Sequence, residues 1–506
     1  MPALDDIFGN CRLAAPPRPW PRFEVDREHW KASGRELASG RWTLLSLWAE
    51  TDVVHMAVIE IASERIAIAS LPCTDGIFPS IGHLHAPAIR LERAVQDLFG
   101  FVAQDCPDPR PWLDHGRWPV SRPLAKTPSR TKTTTRYDFL PAEGQNLHQI
   151  PVGPVHAGVI EPGHFRFTAS GETVVRLEER FGYVHRGVER LMDGSSISDA
   201  ARLAGRVSGD STVAYALAFA RAVESATDHE ISSRADSLRA VMAELERIAN
   251  HLGDIGAICN DAAFALMLAR MSALRERVLR ASQTAFGHRL MMDVIVPGGV
   301  ARDMTREGIN AVRSVLDTIE TSFPRLVELY DDTTSLQDRT ATTGIVSAEL
   351  ARSFGAGGYV GRASGRNFDA RRYPGYRPYE ALAFDVPLRT DGDVNARIWI
   401  RIGEIEQSIG LIRQLLNAMP DGPIAADPRT FKVDAASEGI SLIEGFRGDI
   451  FVWLRIDAGG TIARCHLRDP SWFQWPLVEA AIEGNIVADF PVCNKSFNCS
   501  YAGHDL

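Results

Sequence analysis

Apolar residues follow two regimes along this chain. Up to about residue 119 they come in short runs broken by turn residues, as in Trp42-Thr43-Leu44-Leu45-Ser46-Leu47-Trp48 and Ile66-Ala67-Ile68-Ala69, which predicts strands. A helix over Ala88 to Leu98 interrupts them, and a compact α/β domain over 1–119 is the simplest account. Beyond 150, a short β-rich opening (Phe165-Arg166-Phe167, then Val174 to Leu177) gives way to spacings of three and four. Leu238, Val241, Met242, Leu245, Ile248, Ala249 and Leu252 form one apolar stripe on a helix over 235–252. Further helices are predicted at 197–226, 262–286, 306–328 and 398–418, and Ile450 to Ile456 reads as a buried strand. The predicted class is α+β: a small α/β domain, then a large, mainly helical bundle over 150–506 with small β-sheets at its ends. No internal repeat is evident.

Between these regimes, residues 120–149 are polar and basic, as in Lys126-Thr127-Pro128-Ser129-Arg130-Thr131-Lys132. Such a stretch buries too little apolar surface to offset its ordering entropy, so it reads as a linker or as an arm extended over a partner.

Composition changes this picture little. The 506 residues are 45% hydrophobic and 24% charged, ordinary for a globular protein, and suffice for two domains with their own cores. A net charge of −9 argues against a nucleic-acid surface. Seven cysteines are scattered without a C-x-x-C pair, which fits free thiols in a reducing compartment and offers no zinc or iron–sulfur cradle. Leu4-Asp5-Asp6-Ile7 interrupts any secretory leader, and no apolar run is long enough for a membrane span. No G-x-G-x-x-G follows a predicted strand, so any use of NADH belongs to another subunit.

The candidate chemistry sits in two segments far apart in sequence, Arg206-Val207-Ser208-Gly209-Asp210-Ser211 with Tyr215 beyond it, and Asn494-Lys495-Ser496-Phe497-Asn498-Cys499. They resemble the R-x-C-G-x-C-x-x-x-H and D-P-C-x-x-C motifs that hold the metals in large subunits of nickel–iron hydrogenases. Ser208, Ser211 and Ser496 stand in three of the four cysteine positions, and Cys499 alone keeps its sulfur. Tyr215 replaces the histidine, Asn494 replaces the aspartate, and the chain ends seven residues after Cys499, without the extension that a maturation protease removes. Nickel and low-spin iron need soft, deprotonated thiolates, whereas a serine hydroxyl stays protonated near neutral pH. The resemblance therefore implies hydrogenase ancestry without hydrogen chemistry.

Other motifs extend the resemblance over nearly the whole chain. Leu91 to Phe101 is similar to the E-R-E-x-x-D-L-F-G signature of the 30-kDa subunit of respiratory complex I, with Ala94 in place of the second glutamate. The segment from Gly153 onward resembles the 49-kDa subunit of complex I and the large subunits of group 4 membrane-bound hydrogenases. Fusion in this order is the architecture of the large subunits of formate hydrogenlyase and hydrogenase-4. Within it, Glu161-Pro162-Gly163-His164 is similar to I-E-x-G-H, whose glutamate serves proton transfer or a structural magnesium site and whose histidine lies near the quinone head group in complex I. Gly182 to Glu189 carries His185 and Arg186 of the shared G-Y-x-H-R-G-x-E stretch. Glu246 to Leu252 matches E-R-I-x-N-H-L, and Arg447 occupies the arginine of the E-x-P-R-G loop that overhangs the active-site iron.

The resemblance implies Glu161, His164, His185 and Arg186 as candidates for proton, quinone or electron handling. A carboxylate beside an imidazole, as Glu161 and His164 would be, relays protons near neutral pH. His185 and Arg186 fit a structural role beside a partner's iron–sulfur cluster as well as electron-transfer tuning. Ser208, Asp210, Ser211, Tyr215, Arg447, Ser496 and Cys499 would line the vestigial pocket, either holding a quinone in a new pose, leading protons through water, or filling the space. Gly205 falls where complex I carries its quinone-binding tyrosine. With no metal-bound cyanide to contact, Arg447 is expected to pair a carboxylate, and Arg247, Asn250 and His251 share a helix face suited to a hydrogen-bond network. No metal is expected on this chain, and quinone is its one candidate cofactor. The implied partners are an iron–sulfur small subunit, other complex I-like peripheral subunits and membrane antiporter-like subunits. The implied location is the cytoplasmic face of the membrane.

Overall fold

The computed structural model describes residues 4–14, 18–128, 137–144, 146–158, 160–425, 433 and 435–506. Its first part is a five-stranded sheet in the order Arg12–Leu13, Arg22–Glu24, Ile66–Pro72, Val53–Glu60, Trp42–Glu50. The pairing of Arg22–Glu24 with Ile66–Pro72 is parallel and the other pairs are antiparallel. Trp42–Glu50 is buried at every position, as a near-continuous apolar run requires when both faces of a strand are covered. Helices Arg27–Ala38 and Ile89–Phe99 pack in this half. On the other face Trp48 stacks on His466 with ring centres 5.2 Å apart, and Ser46 Oγ lies 2.8 Å from His466 Nε2. The N-terminal sheet is thus welded to the strand Ile462–Arg468 of the second half.

The second half is built around Ser233–Asp261, a helix buried over most of its length. Ala265–Phe286 and Val394–Asn417 pack against it, and Arg306–Asp332 packs outside Ala265–Phe286. A three-stranded antiparallel sheet, Ser437–Gly445, Gly448–Ile456 and Ile462–Arg468, covers helix Thr212–Thr227, with Ser441 Oγ donating to the Ala218 carbonyl at 2.6 Å. Long amphipathic helices over a small sheet are the α+β arrangement that the periodicity predicts.

Two sequence expectations change. The helix predicted over 197–226 is two helices, Ile197–Ala204 and Thr212–Thr227, with Gly205–Ser211 looping between them. Alanine-rich periodicity runs through the break, but the loop is held by tertiary contacts: Thr212 Oγ1 donates to the Gly205 carbonyl at 2.5 Å, and Glu246 accepts the Val213 and Ala214 N–H groups at 2.7 and 3.1 Å. The strand Leu147–Val152 begins inside the stretch whose composition reads as linker, because it pairs along His164–Ser170. Residues 129–136, the most basic part of that stretch, lie outside the described residues. On either side of them, Leu124 is buried, and Tyr137 packs under the Arg110 and Arg180 guanidinium groups. No described helix is long and apolar enough to cross a membrane.

Candidate functional site

Three backbone devices bring the two distant segments together. The loop Gly205–Ser211 delivers Ser208 and Asp210 to the N-terminus of helix Thr212–Thr227, where Asn250 Nδ2 fixes the Asp210 carbonyl at 2.8 Å. The two-residue hairpin turn Phe446-Arg447 aims Arg447 at the same place. It needs Gly448 at φ 135°, where a Cβ would also meet the Gly357 backbone at 2.9 Å. Asn498, left-handed at φ 45°, ends helix Phe490–Phe497 and turns Cys499 and Ser500 beneath the other two segments.

These segments surround a polar pocket of about 340 Å³. The Arg447 guanidinium lies across its floor in a fork on Asp210, Nη1 to Oδ1 at 2.9 Å and Nη2 to Oδ2 at 2.5 Å, with Ser211 Oγ at 3.1 Å and the Asn498 carbonyl at 2.5 Å. Ser208 Oγ donates to Asp210 Oδ1 at 2.6 Å and lies 3.2 Å from Ser500 Oγ. Burial raises the Asp210 carboxyl, but the Arg447 charge and these hydrogen bonds outweigh it and hold the group at about 2. Glu161 stands at the rim and accepts the Ala502 N–H at 3.0 Å, with partial burial pushing its carboxyl above the usual range. Arg186 spans to the loop, donating to the Arg206 and Val207 carbonyls at 3.0 and 2.6 Å.

Glu161, Arg186, Ser208, Asp210, Arg447 and Cys499 therefore share one pocket, and the remaining sequence candidates lie outside its lining. Ser211 is buried behind Asp210. Ser496 Oγ donates to the Cys493 carbonyl at 2.6 Å and accepts Arg397 Nε at 2.9 Å. Tyr215 is fully buried and donates to Asp469 Oδ2 at 2.6 Å. His185 stacks on Trp118 at 4.4 Å, with Nδ1 2.6 Å from the Asp505 carbonyl, and burial lowers its pKa. His164 lies 3.2 Å from the Gly153 carbonyl through Nδ1 and packs on Phe139, 5.0 Å away. The expected direct Glu161–His164 pairing is corrected: no hydrogen bond joins the two side chains, Glu161 Oε2 accepting the Ala502 N–H and His164 Nδ1 facing the Gly153 carbonyl.

Lys495, Asn498 and Ser500 also line the pocket, and Asp254 and Arg401 hold this segment from outside the lining through Asn498 and the Ser496 carbonyl. Arg401 Nε meets Asp254 Oδ2 at 3.1 Å, Asp254 Oδ1 accepts Asn498 Nδ2 at 2.8 Å, and Arg401 lies 3.6 Å from the Tyr359 ring centre. The signal was present in Arg397-Ile398-Trp399-Ile400-Arg401, two arginines one turn apart inside an apolar run, where a long cation is buried only with partners. Below them lies an ionic network. Glu404 binds His251 at 2.7 Å and Arg362 at 2.6 Å, and Arg247 bridges Glu244 and Glu404 at 3.3 and 3.4 Å.

Residues 23–134 match the family described as respiratory-chain NADH dehydrogenase, 30 Kd subunit, and residues 254–441 and 429–505 match the 49 Kd subunit of the same enzyme. The carbon monoxide-induced hydrogenase of Rhodospirillum rubrum is 31% identical over 70% of this chain and 98% of its own length. An NADH-quinone oxidoreductase subunit from Dehalococcoides mccartyi is 31% identical over 67% of the chain and 93% of its own. The chain belongs to the complex I 49-kDa subunit family, fused to a 30-kDa-type domain. Formate hydrogenlyase subunit 5 of Escherichia coli is 28% identical over 85% of this chain and 77% of its own length.

The resemblance to nickel–iron hydrogenase large subunits implies a nickel–iron centre, which needs a sulfur-rich donor set. Two of the three serines face one another through Asp210, the third is turned onto Arg397, and the Cys499 thiol is pushed well above its ordinary value by burial. One protonated thiol and three hydroxyls do not make a sulfur-rich site. Among the described residues no three His, Cys, Asp or Glu side chains converge as metal ligands. The residues do not fit the metal pair.

Proposed function

We propose that this complex I-type subunit works without a nickel–iron centre, within a membrane-associated complex I-like or hydrogenase-4-like oxidoreductase. In this reading it docks on an iron–sulfur small subunit, on other peripheral subunits and on membrane antiporter-like subunits, at the cytoplasmic face. It supports electron transfer from the iron–sulfur subunits to a quinone, coupled to ion movement. NADH, where it is the donor, is oxidised in another subunit.

The Arg447–Asp210 fork carries the proposal. In the place where the hydrogenase arginine would overhang iron, the cation is neutralised by a carboxylate of the chain's own loop. The pocket beside it keeps donors for a carbonyl oxygen in Asn494, Lys495 and Asn498, and a carboxyl of raised pKa in Glu161 that can supply a proton at the rim. The relatives, an NADH-quinone oxidoreductase subunit and formate hydrogenlyase subunit 5, support the setting. A second reading, a scaffold subunit with no redox substrate, is favoured by the inward locking of Ser496 and Tyr215, which fills part of the ancestral cavity.

Glu161→Gln in the intact complex separates the two. The quinone reading expects donor-to-quinone turnover to fall about tenfold or more, as loss of a proton-transfer group does, with assembly unchanged on native gels. The scaffold reading expects no change.

A further inference from the structure

A second cavity, of about 650 Å³, opens between the Pro111–Trp118 loop and the turn Gly182–His185, away from the pocket above. Rings line it: Tyr183 meets His115 edge-on at 4.5 Å, Trp118 stacks on His185, and Tyr137 closes one side. Its cations are Arg180 and Arg117. Arg180 is only 2% exposed, lies 4.4 Å from the Tyr137 ring centre, and donates to the Trp112 carbonyl and, at 3.3 Å, to the Asp114 carbonyl. Its Nε has no hydrogen-bond partner.

Buried arginines in this chain pair a carboxylate almost without exception, for example Arg90 with Glu179, Arg239 with Glu224 and Arg464 with Glu189. Among the described buried ones Arg180 and Arg397 do not, and Arg397 instead donates to Ser496 Oγ and to the Gly392 and Gly344 carbonyls. The acids near Arg180 are committed elsewhere. Asp97 Oδ2 accepts the Trp112, Leu113 and Asp114 N–H groups, Asp114 Oδ1 accepts Gly116 N–H, and Asp505 Oδ2 accepts those of Gly182 and Val184. Arg117, exposed at the rim, makes no ion pair among the described residues. A buried guanidinium without a carboxylate partner is costly, and burial, with the Arg93 charge nearby, outweighs the opposing pull of Tyr137 and Asp97 and pushes Arg180 down to about 10. An incoming oxyanion would relieve that cost, while flat rings accept the body to which it is attached.

We propose that this cavity is a binding site for an oxyanion, a carboxylate or a phosphate, held between Arg180 and Arg117 with its planar body against the Trp118, Tyr137 and Tyr183 rings. The anion comes either as a free small molecule or on an acidic side chain of a partner subunit. This site is separate from the pocket on which the metal-free reading rests, and the two stand or fall independently.

Titration calorimetry with inorganic phosphate, adenosine 5′-monophosphate and uncharged adenosine, on the isolated full chain and on the assembled complex, tests it. The phosphate ester binds the full chain with a dissociation constant below about 1 mM, and adenosine binds at least about tenfold more weakly. Arg117→Glu, an exposed change that leaves the melting temperature unaltered, weakens the phosphate ester about tenfold or more, and Arg117→Lys restores it. Binding to both chain and complex identifies a free ligand; binding to the isolated chain alone identifies a partner's acid in the same seat. Equal binding of adenosine and its phosphate, no binding to the isolated chain, or unchanged affinity in Arg117→Glu would overturn the proposal.

Discussion

Arg447 grips Asp210 with both Nη atoms, at 2.9 and 2.5 Å, across 237 residues of sequence. The Arg447 side chain is 6% exposed and that of Asp210 34%, so the pair is half in the protein and half in the pocket. Removing one partner strands a charge on the buried side. Arg447→Met is expected to cost about 2 kcal/mol, below the cost of breaking a fully buried pair because Asp210 remains solvated on one side. Chemical denaturation of Arg447→Met, Asp210→Asn and the double variant checks this, with the double variant less destabilised than the sum of the two.

The same pair fixes a pH window. The Asp210 carboxyl is held at about 2, below its ordinary 3.8, so its contribution is fully present above pH 4 and is lost as pH falls toward 2. Asp210→Asn should lose stability relative to the parent at pH 5 to 7 and converge with it near pH 2, read from acid unfolding curves.

Glu246 carries the opposite sign. Burial, only partly offset by the Val213 and Ala214 N–H groups, pushes its carboxyl up to about 8. Its contribution is therefore complete below the ordinary 4.5 and fades as pH rises through about 8. Stability of the parent should decline across pH 5 to 9 more steeply than that of Glu246→Gln, measured by thermal unfolding in matched buffers.

Cys499 is buried, and its thiol is held well above the ordinary value, so thiolate is scarce at neutral pH. Alkylation of the native chain at pH 8, followed by peptide mass analysis, should leave Cys499 unmodified until denaturant is added. Rapid native labelling would mean an open thiolate and would restore a metal-ligand role to it.

Much of this was legible in the sequence. Stripes at spacings of three and four located helices 233–261, 265–286, 306–332 and 394–417 to within a few residues at most ends, because burial of one face leaves that period in the chain. The short apolar run at Trp42–Trp48 marked a strand, though burial of both its faces, Thr43 and Ser46 included, comes from the packing around it. The two distant site segments were readable as partners through their likeness to paired motifs, and the structure brings Ser208, Asp210, Arg447 and Cys499 to one pocket. What was not legible depends on side-chain direction. Nothing local says that the Ser496 hydroxyl turns onto Arg397, that Tyr215 points to Asp469, or that Glu161 and His164 diverge. Each is fixed by a partner more than ninety residues away in the first two cases and by main-chain acceptors and donors in the third. The break at Gly205–Ser211 was hidden for the same reason, since Glu246 on another helix makes it.

Elemental analysis of nickel in the purified complex, per copy of this chain, tests the central claim most directly. Nickel is expected at background, with iron accounted for by the iron–sulfur subunits. Nickel at one atom per chain would contradict the metal-free reading and require a hydrogenase centre built on Cys499 and oxygen donors.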